Sequence, residues 1–193
     1  YSGHNNKGTL TNGPTWTTLS TNEKVLSFDG SEDYVEIPHS SSFDINNIIT
    51  VAAWVKPTVF SDYSSIATTL GGNFYGWRFI YMSSKKLHFG MANISGEYQG
   101  VNSDDILTLN IWQHVAMTKS DTTVNFYKDG KNIGTKILPS AEIKVGSRSV
   151  RIGYESNNGS YLNGLVDDVR IYNRALSAGE IQYLYTKTQG RYK

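Results

Sequence analysis

Cysteine is absent from the 193-residue chain, so disulfides, thiolate metal sites and cysteine nucleophiles are excluded together. Charge of one sign is also missing: 18 Lys and Arg stand against 17 Asp and Glu, for a net charge of +1. Such a balance leaves no field to draw in nucleic acid or an anionic membrane. No apolar run approaches the roughly 20 residues that cross a bilayer, and no charged-then-apolar leader opens the chain. A soluble protein without membrane insertion is expected. Its first residue is Tyr1 rather than Met, which suggests a processing site or a boundary inside a longer protein. Zinc spacings of the His-x-x-x-His kind are lacking, as is the Gly-x-Ser-x-Gly elbow of serine hydrolases. His4, His39, His88 and His114 stand in unrelated contexts.

What is present is a β pattern rich in aromatics. Thirteen Tyr and four Trp accompany many Ser, Thr, Asn and Gly residues, a bias shared with carbohydrate-facing β proteins of the extracellular space. Residues 1–22 read as an irregular lead-in with a turn at Thr11-Asn12-Gly13-Pro14. Alternation then gives strands at 25–30 and 33–37, and Pro38 ends the second. Residues 48–55 are almost wholly apolar, the mark of a strand covered on both faces, with Trp54 as core. Short strands follow at 64–70, 76–82, 86–91, 97–101, 111–119 and 123–127, and Asp129-Gly130 makes a tight hairpin turn. A further strand covers 150–153, and 154–160 is a polar loop. The central strand is Asn163-Gly164-Leu165-Val166-Asp167-Asp168-Val169-Arg170-Ile171-Tyr172, apolar on both faces. Ser177 and Glu180 then form a capping box for the only expected helix. The basic residues 187–193 are expected to fray.

Within this pattern, Gly-x-Val-Asp-Asp-Val-Arg-Ile-Tyr-Asn-Arg-Ala-Leu-Ser at 164–177 resembles the closing strand and cap of laminin G-like domains in the concanavalin A-like lectin and glucanase superfamily. Leu26-Ser27-Phe28-Asp29-Gly30, Thr50 to Pro57, Trp112-Gln113-His114-Val115-Ala116 and Phe126-Tyr127-Lys128-Asp129-Gly130 fall in the family's order. The resemblance implies one all-β domain over residues 1–193, an antiparallel two-sheet jelly-roll sandwich with a short C-terminal helix. It does not by itself name a function, because one fold hosts many.

Three constellations bear on chemistry. A glycosidase needs two carboxyl groups facing each other across a scissile bond. Glu32 and Glu36 can share a strand face but Asp33 points away, so the catalytic triad of the family's glucanases is broken. A glycoside hydrolase is therefore a distant alternative, and the chain reads as a non-enzyme. For a metal, calcium suits Asp29, Asp33, Asp167 and Asp168, acids on the strands that carry the family motifs. Equally, Asp29 could make a turn with Gly30, and Asp168 could pair with Arg170 or Arg174. Asp167 and Asp168, as neighbours in a strand, are expected on opposite faces. For sugar, Tyr75, Trp77, Phe79 and Tyr81 share one face, which would serve as a platform or as core. Tyr154, Asn157, Asn158, Tyr161 and Asn163 could rim a second site. Asn93-Ile94-Ser95 and Asn158-Gly159-Ser160 are glycosylation sequons. The expected role is an extracellular or particle-surface recognition module that binds carbohydrate and is stabilised by calcium. The alternative is a structural or adhesion subunit of a surface assembly, filament or virion, with protein partners and self-assembly or attachment to a larger chain.

Overall fold

Residues 6–71 and 75–192 are described by the computed structural model. Strands β1 (Thr9–Thr11), β2 (Thr15–Thr18), β3 (Lys24–Asp29), β4 (Tyr34–Ile37), β5 (Ile49–Pro57), β6 (Ser64–Thr68), β7 (Trp77–Tyr81) and β8 (Lys86–Ala92) lead the chain. They are followed by β9 (Tyr98–Ile106), β10 (Gln113–Ser120), β11 (Thr123–Lys128), β12 (Lys131–Ile137), β13 (Val150–Ile152), β14 (Tyr154–Glu155), β15 (Ser160–Tyr161), β16 (Asn163–Tyr172) and helix α1 (Ala178–Thr188). The front sheet has the order β1-β4-β13-β6-β7-β8-β9 and the back sheet β12-β11-β10-β5-β16-β3-β2, each of seven strands. Strands β14 and β15 form a separate hairpin.

Alternation along each strand explains the layers. Val35, Trp77, Phe79, Tyr81, Phe89 and Met91 of the front sheet meet Val51, Ala53, Val55, Val115, Met117, Phe126 and Val166 of the back sheet in one buried core. The intervening residues of β5 are also apolar because the outer face of the back sheet is covered as well. Ala52 packs with Leu176 and Ile181, and Trp54 with Val25 and Tyr192. Trp54 is therefore buried, but beneath the C-terminal segment and not between the sheets. Ser177 caps α1 with the expected reciprocal bonds to Glu180. Asp129 and Gly130 turn the β11–β12 hairpin at φ of 50° and 78°, the mirror-image conformation such turns require.

Three expectations are corrected. The lead-in is not wholly irregular: residues 9–11 and 15–18 add an edge strand to each sheet, while residues 1–5 lie outside the described set. As far as Tyr192 the tail does not fray. Residues Gln189–Tyr192 make a 3-10 turn that ends on Tyr192, whose ring stacks on Trp54 with centroids 4.3 Å apart and whose hydroxyl donates to Asp167 Oδ2 at 2.7 Å. The Trp54 indole donates to Thr188 Oγ1 at 2.8 Å. These contacts seal the outer face of β5, which basic residues in the sequence could not reveal. Finally, β16 carries a bulge between Asp167 and Arg170, with Asp168 in the left-handed region at φ 49°. One extra residue breaks the two-residue period. Asp167, near Tyr192, and Asp168, paired with Arg170 at 2.8 and 3.0 Å, both lie on the helix side instead of opposite faces.

Candidate functional site

Helix α1 packs on the back sheet, and among the described residues no helix covers the outer face of the front sheet. Residues directly opposite each other in neighbouring strands share a face, so the register assembles a row across it. Glu36 stands opposite Arg151, Arg151 opposite Thr68, Thr68 opposite Arg78, Arg78 opposite Gly90 and Gly90 opposite Gly100. The next outward positions bring His88 opposite Asn102. Most of these positions hold polar side chains or glycines, yet Thr68, Arg78 and His88 are buried, as is the outward Ile80 opposite His88.

Arg78 is the hub. Its Nε and Nη2 donate to Tyr98 Oη at 3.0 and 2.5 Å, and its guanidinium lies 4.8 Å from the Tyr63 ring centroid and 4.6 Å from that of Tyr98. Tyr98 Oη is 2.5 Å from His88 Nε2, and His88 Nδ1 is 2.7 Å from Asn102 Oδ1. A guanidinium only donates and an amide oxygen only accepts, so the directions follow. His88 carries its proton on Nδ1 and donates to Asn102, while the Tyr98 hydroxyl accepts from Arg78 and donates to His88. Burial, with Arg78 adding to it and Asn102 opposing, pushes the His88 pKa down to about 4. Burial pushes the Tyr98 hydroxyl up against the pull of Arg78. Both groups stay neutral, as the network requires.

Glu155 balances Arg78. Its side chain is fully buried, 3.8 Å from Arg78 Nη1, and a buried ion pair is tolerated only when its remaining lone pairs are satisfied. Here the loop after β14 satisfies them: Asn157 N donates to Oε1 at 3.2 Å, and Asn158 N and Nδ2 donate to Oε2 at 3.0 and 2.6 Å. That loop hangs beside a set of rings. Tyr154 stacks on Tyr161 with centroids 4.6 Å apart and planes 15° off parallel, and Tyr34 lies 5.3 Å from Tyr154. Arg151 sits 5.5 Å from the Tyr154 centroid and is paired with Glu36 at 3.1 Å. All three rings are half-buried.

Of the residues singled out in the sequence, Tyr154, Asn157 and Tyr161 do come together. Trp77 does not join them. It is 1 % exposed and faces the core with Phe79 and Tyr81, because the outward partners on β7 are Arg78 and Ile80. Tyr75, bridged to Gly71, lies under Lys144, whose Nζ is 4.4 Å from its ring centroid. The four acids assigned to calcium do not gather. Asp29 Oδ1 accepts from Ser31 N at 2.7 Å, Asp33 Oδ2 lies 3.3 Å from Asp29 N, and Asp167 and Asp168 are committed to Tyr192 and Arg170 beneath the helix. Among the described residues, no group of three or more His, Asp or Glu side chains is placed to share a metal ion. A four-carboxylate calcium site does not fit. The Asn93 sequon is closed, since Asn93 is 4 % exposed and its amide bonds Glu97 on both atoms. Asn158 is exposed, but its Nδ2 is used by Glu155. Arg78, His88, Tyr98 and Glu155 were missed. The available signal was an arginine and a histidine at outward positions of otherwise apolar strands, with Arg78 opposite Gly90.

The description "Concanavalin A-like lectin/glucanases superfamily" matches residues 29–182. The chain belongs to that superfamily. It is 25% identical over 145 residues to the adhesion G-protein coupled receptor V1 of Danio rerio, a match that spans 72% of this chain and 2% of the receptor. Among solved structures, the binding domain of Paraclostridial Mosquitocidal Protein 1 superposes with a TM-score of 0.76 at 16% identity, covering 96% of this chain and 48% of that one. Domain 4 of AbnA, a GH43 extracellular arabinanase from Geobacillus stearothermophilus, in complex with arabinotriose, gives 0.76 at 16% identity over 95% of this chain and 91% of that domain. At such identities the structures establish the fold alone. The chain spans a small part of the receptor and about half of the toxin domain. No helix among the described residues is long and apolar enough to cross a membrane.

Proposed function

We propose that this chain is a non-catalytic carbohydrate-binding domain of a secreted or surface-displayed protein, and that it holds sugar at the tyrosines of the β14–β15 hairpin. The observation that carries the reading is the Tyr154–Tyr161 stack with Tyr34 beside it, flanked by the Arg151–Glu36 pair and the Asn157–Asn158 loop, on the outward side of the front sheet. Rings present the apolar face of a sugar with a surface to lie on, while amide and charged groups at the rim hydrogen-bond its hydroxyls. The two carboxylates on this face favour binding over acid–base work. Glu36 is held by Arg151, and Glu155 is buried against Arg78. The similarity to a domain solved with arabinotriose and to toxin binding domains supports the same reading.

The test is a glycan array followed by calorimetry with Tyr154→Ala and Tyr161→Ala. Each is expected to weaken binding roughly threefold to tenfold, in line with aromatic contacts of about 0.5–1.5 kcal/mol, with the melting temperature nearly unchanged. The alternative reading, an adhesion or assembly subunit, draws on the adhesion-receptor relative and on edge strand β2, where Trp16 is 57 % exposed. A blank array together with self-association through more than about 1,000 Å² of interface would put that reading in its place.

A further inference from the structure

Tyr98 is 37 % exposed, yet its hydroxyl is held by Arg78 Nε, Arg78 Nη2 and His88 Nε2. A ring fixed before a ligand arrives loses little freedom when it binds. The phenol is also laid along the sheet instead of away from it. A Cβ on Gly100 would stand 2.8 Å from Tyr98 Oη, and one on Gly90 would come closer still. Two neighbouring strands thus lack side chains where the ring lies. Across Arg78 stands Tyr63, whose φ of 63° is uncommon for a bulky residue and is the kind of backbone strain that collects at ligand clamps.

We propose that Tyr98, with Tyr63 facing it across Arg78, is a second sugar-binding subsite on the front sheet, and that the glycan spanning it and the hairpin platform is an uncharged oligosaccharide. This rests on the carbohydrate-binding function inferred above. The hairpin lies against β6 and the tip of Tyr98 lies over Gly90 of β8, two strands further on, or about 10 Å at the usual strand spacing. A single sugar unit does not bridge that distance, whereas a short chain does. The charges on the face decide the class. Arg78 is balanced by Glu155 and Arg151 by Glu36, so an acidic sugar meets arginines already engaged. Glu32 near Tyr161 adds repulsion. A neutral sugar ring stacks on tyrosine without any counter-charge.

The experiment is an NMR and calorimetric titration of the full chain with neutral trisaccharides (arabinotriose, xylotriose, cellotriose), the corresponding monosaccharides, and the acidic trigalacturonate. With one of the neutral trisaccharides, the ring signals of both Tyr98 and Tyr154 are expected to shift. Tyr98→Leu is expected to weaken that trisaccharide about tenfold, as loss of a stacked ring would, and to leave the monosaccharide unaffected. Trigalacturonate is expected to bind at least roughly tenfold more weakly. Because Tyr98→Leu strips a partner from Arg78, Tyr98→Phe and the wild-type ring shifts serve as readings that do not depend on the folding of that variant. Shifts confined to Tyr154 and Tyr161 overturn the second subsite while leaving the binding function intact, and tighter binding of trigalacturonate overturns the neutral class. No shift with any sugar overturns both the subsite and the function it rests on.

Discussion

Acid should weaken this fold well before its carboxylates titrate. His88 and His114 are 8 % and 3 % exposed, and burial is the first cause that brings each pKa down from 6.5 to about 4. For His88 the Arg78 charge adds to the effect and Asn102 opposes it; for His114 Asp168 opposes and Arg170 adds. Between those two values the unfolded chain binds a proton that the folded chain does not, so stability falls as pH is lowered through the window. One pH unit is worth about 1.4 kcal/mol, so moving from 6.5 to pH 5 costs roughly 2 kcal/mol per histidine, or about 4 kcal/mol for both. That is a large share of a typical total of about 5–15 kcal/mol. The structural reasons differ. Protonated His88 could no longer accept from Tyr98, and protonated His114 would carry a hydrogen on Nδ1, a buried atom with no partner. Urea unfolding at pH 7, 6 and 5 measures the loss, with His88→Gln and His114→Gln each expected to remove about half of the pH dependence. Equal stability at pH 7 and pH 5 would refute the reasoning, as would a full pH dependence in the double variant.

Deletion of residues 189–193 should uncover Trp54 and free Asp167, lowering the melting temperature by several degrees; an unchanged melt would mean that the tail is dispensable. Lys119 is fully buried, with its Nζ donating to the carbonyl oxygens of Asn47 and Ala141, so Lys119→Met should cost about 2–4 kcal/mol through the two acceptors left unpaired, as read from urea midpoints. Trp77→Ala should destabilise by about 3–5 kcal/mol as a core deletion and leave sugar affinity untouched in whatever fraction stays folded; selective loss of binding would return Trp77 to the ligand site. Chelation is expected to leave the melting curve unchanged, since the four acids are apart, and a chelator-sensitive melt that Asp33→Asn abolishes would instead place a cation at Asp29 and Asp33.

Local chemistry in the sequence was enough for much of the architecture. The apolar run of β5, the Asp129-Gly130 turn, the Ser177–Glu180 capping box and the motifs around Trp112 and Asp168 each express a short-range rule, and the family resemblance joined them into a sandwich. The site was only half legible. Tyr154, Asn157 and Tyr161 are close in sequence and sit in one hairpin, so composition alone could group them. Arg78, His88, Tyr98 and Glu155 come from four strands, and nothing local links them. Only the register of β7 to β9 and the packing of the β14–β15 hairpin against β6 decided that they meet, just as only the bulge at Asp168 put both aspartates on the helix side and only the packing of Trp54 ordered the tail. The physical reason is the same in each case. Alternation says which residues share a face of their own strand, whereas which strands lie side by side, and where a period slips by one, is set by the packing of the whole sandwich.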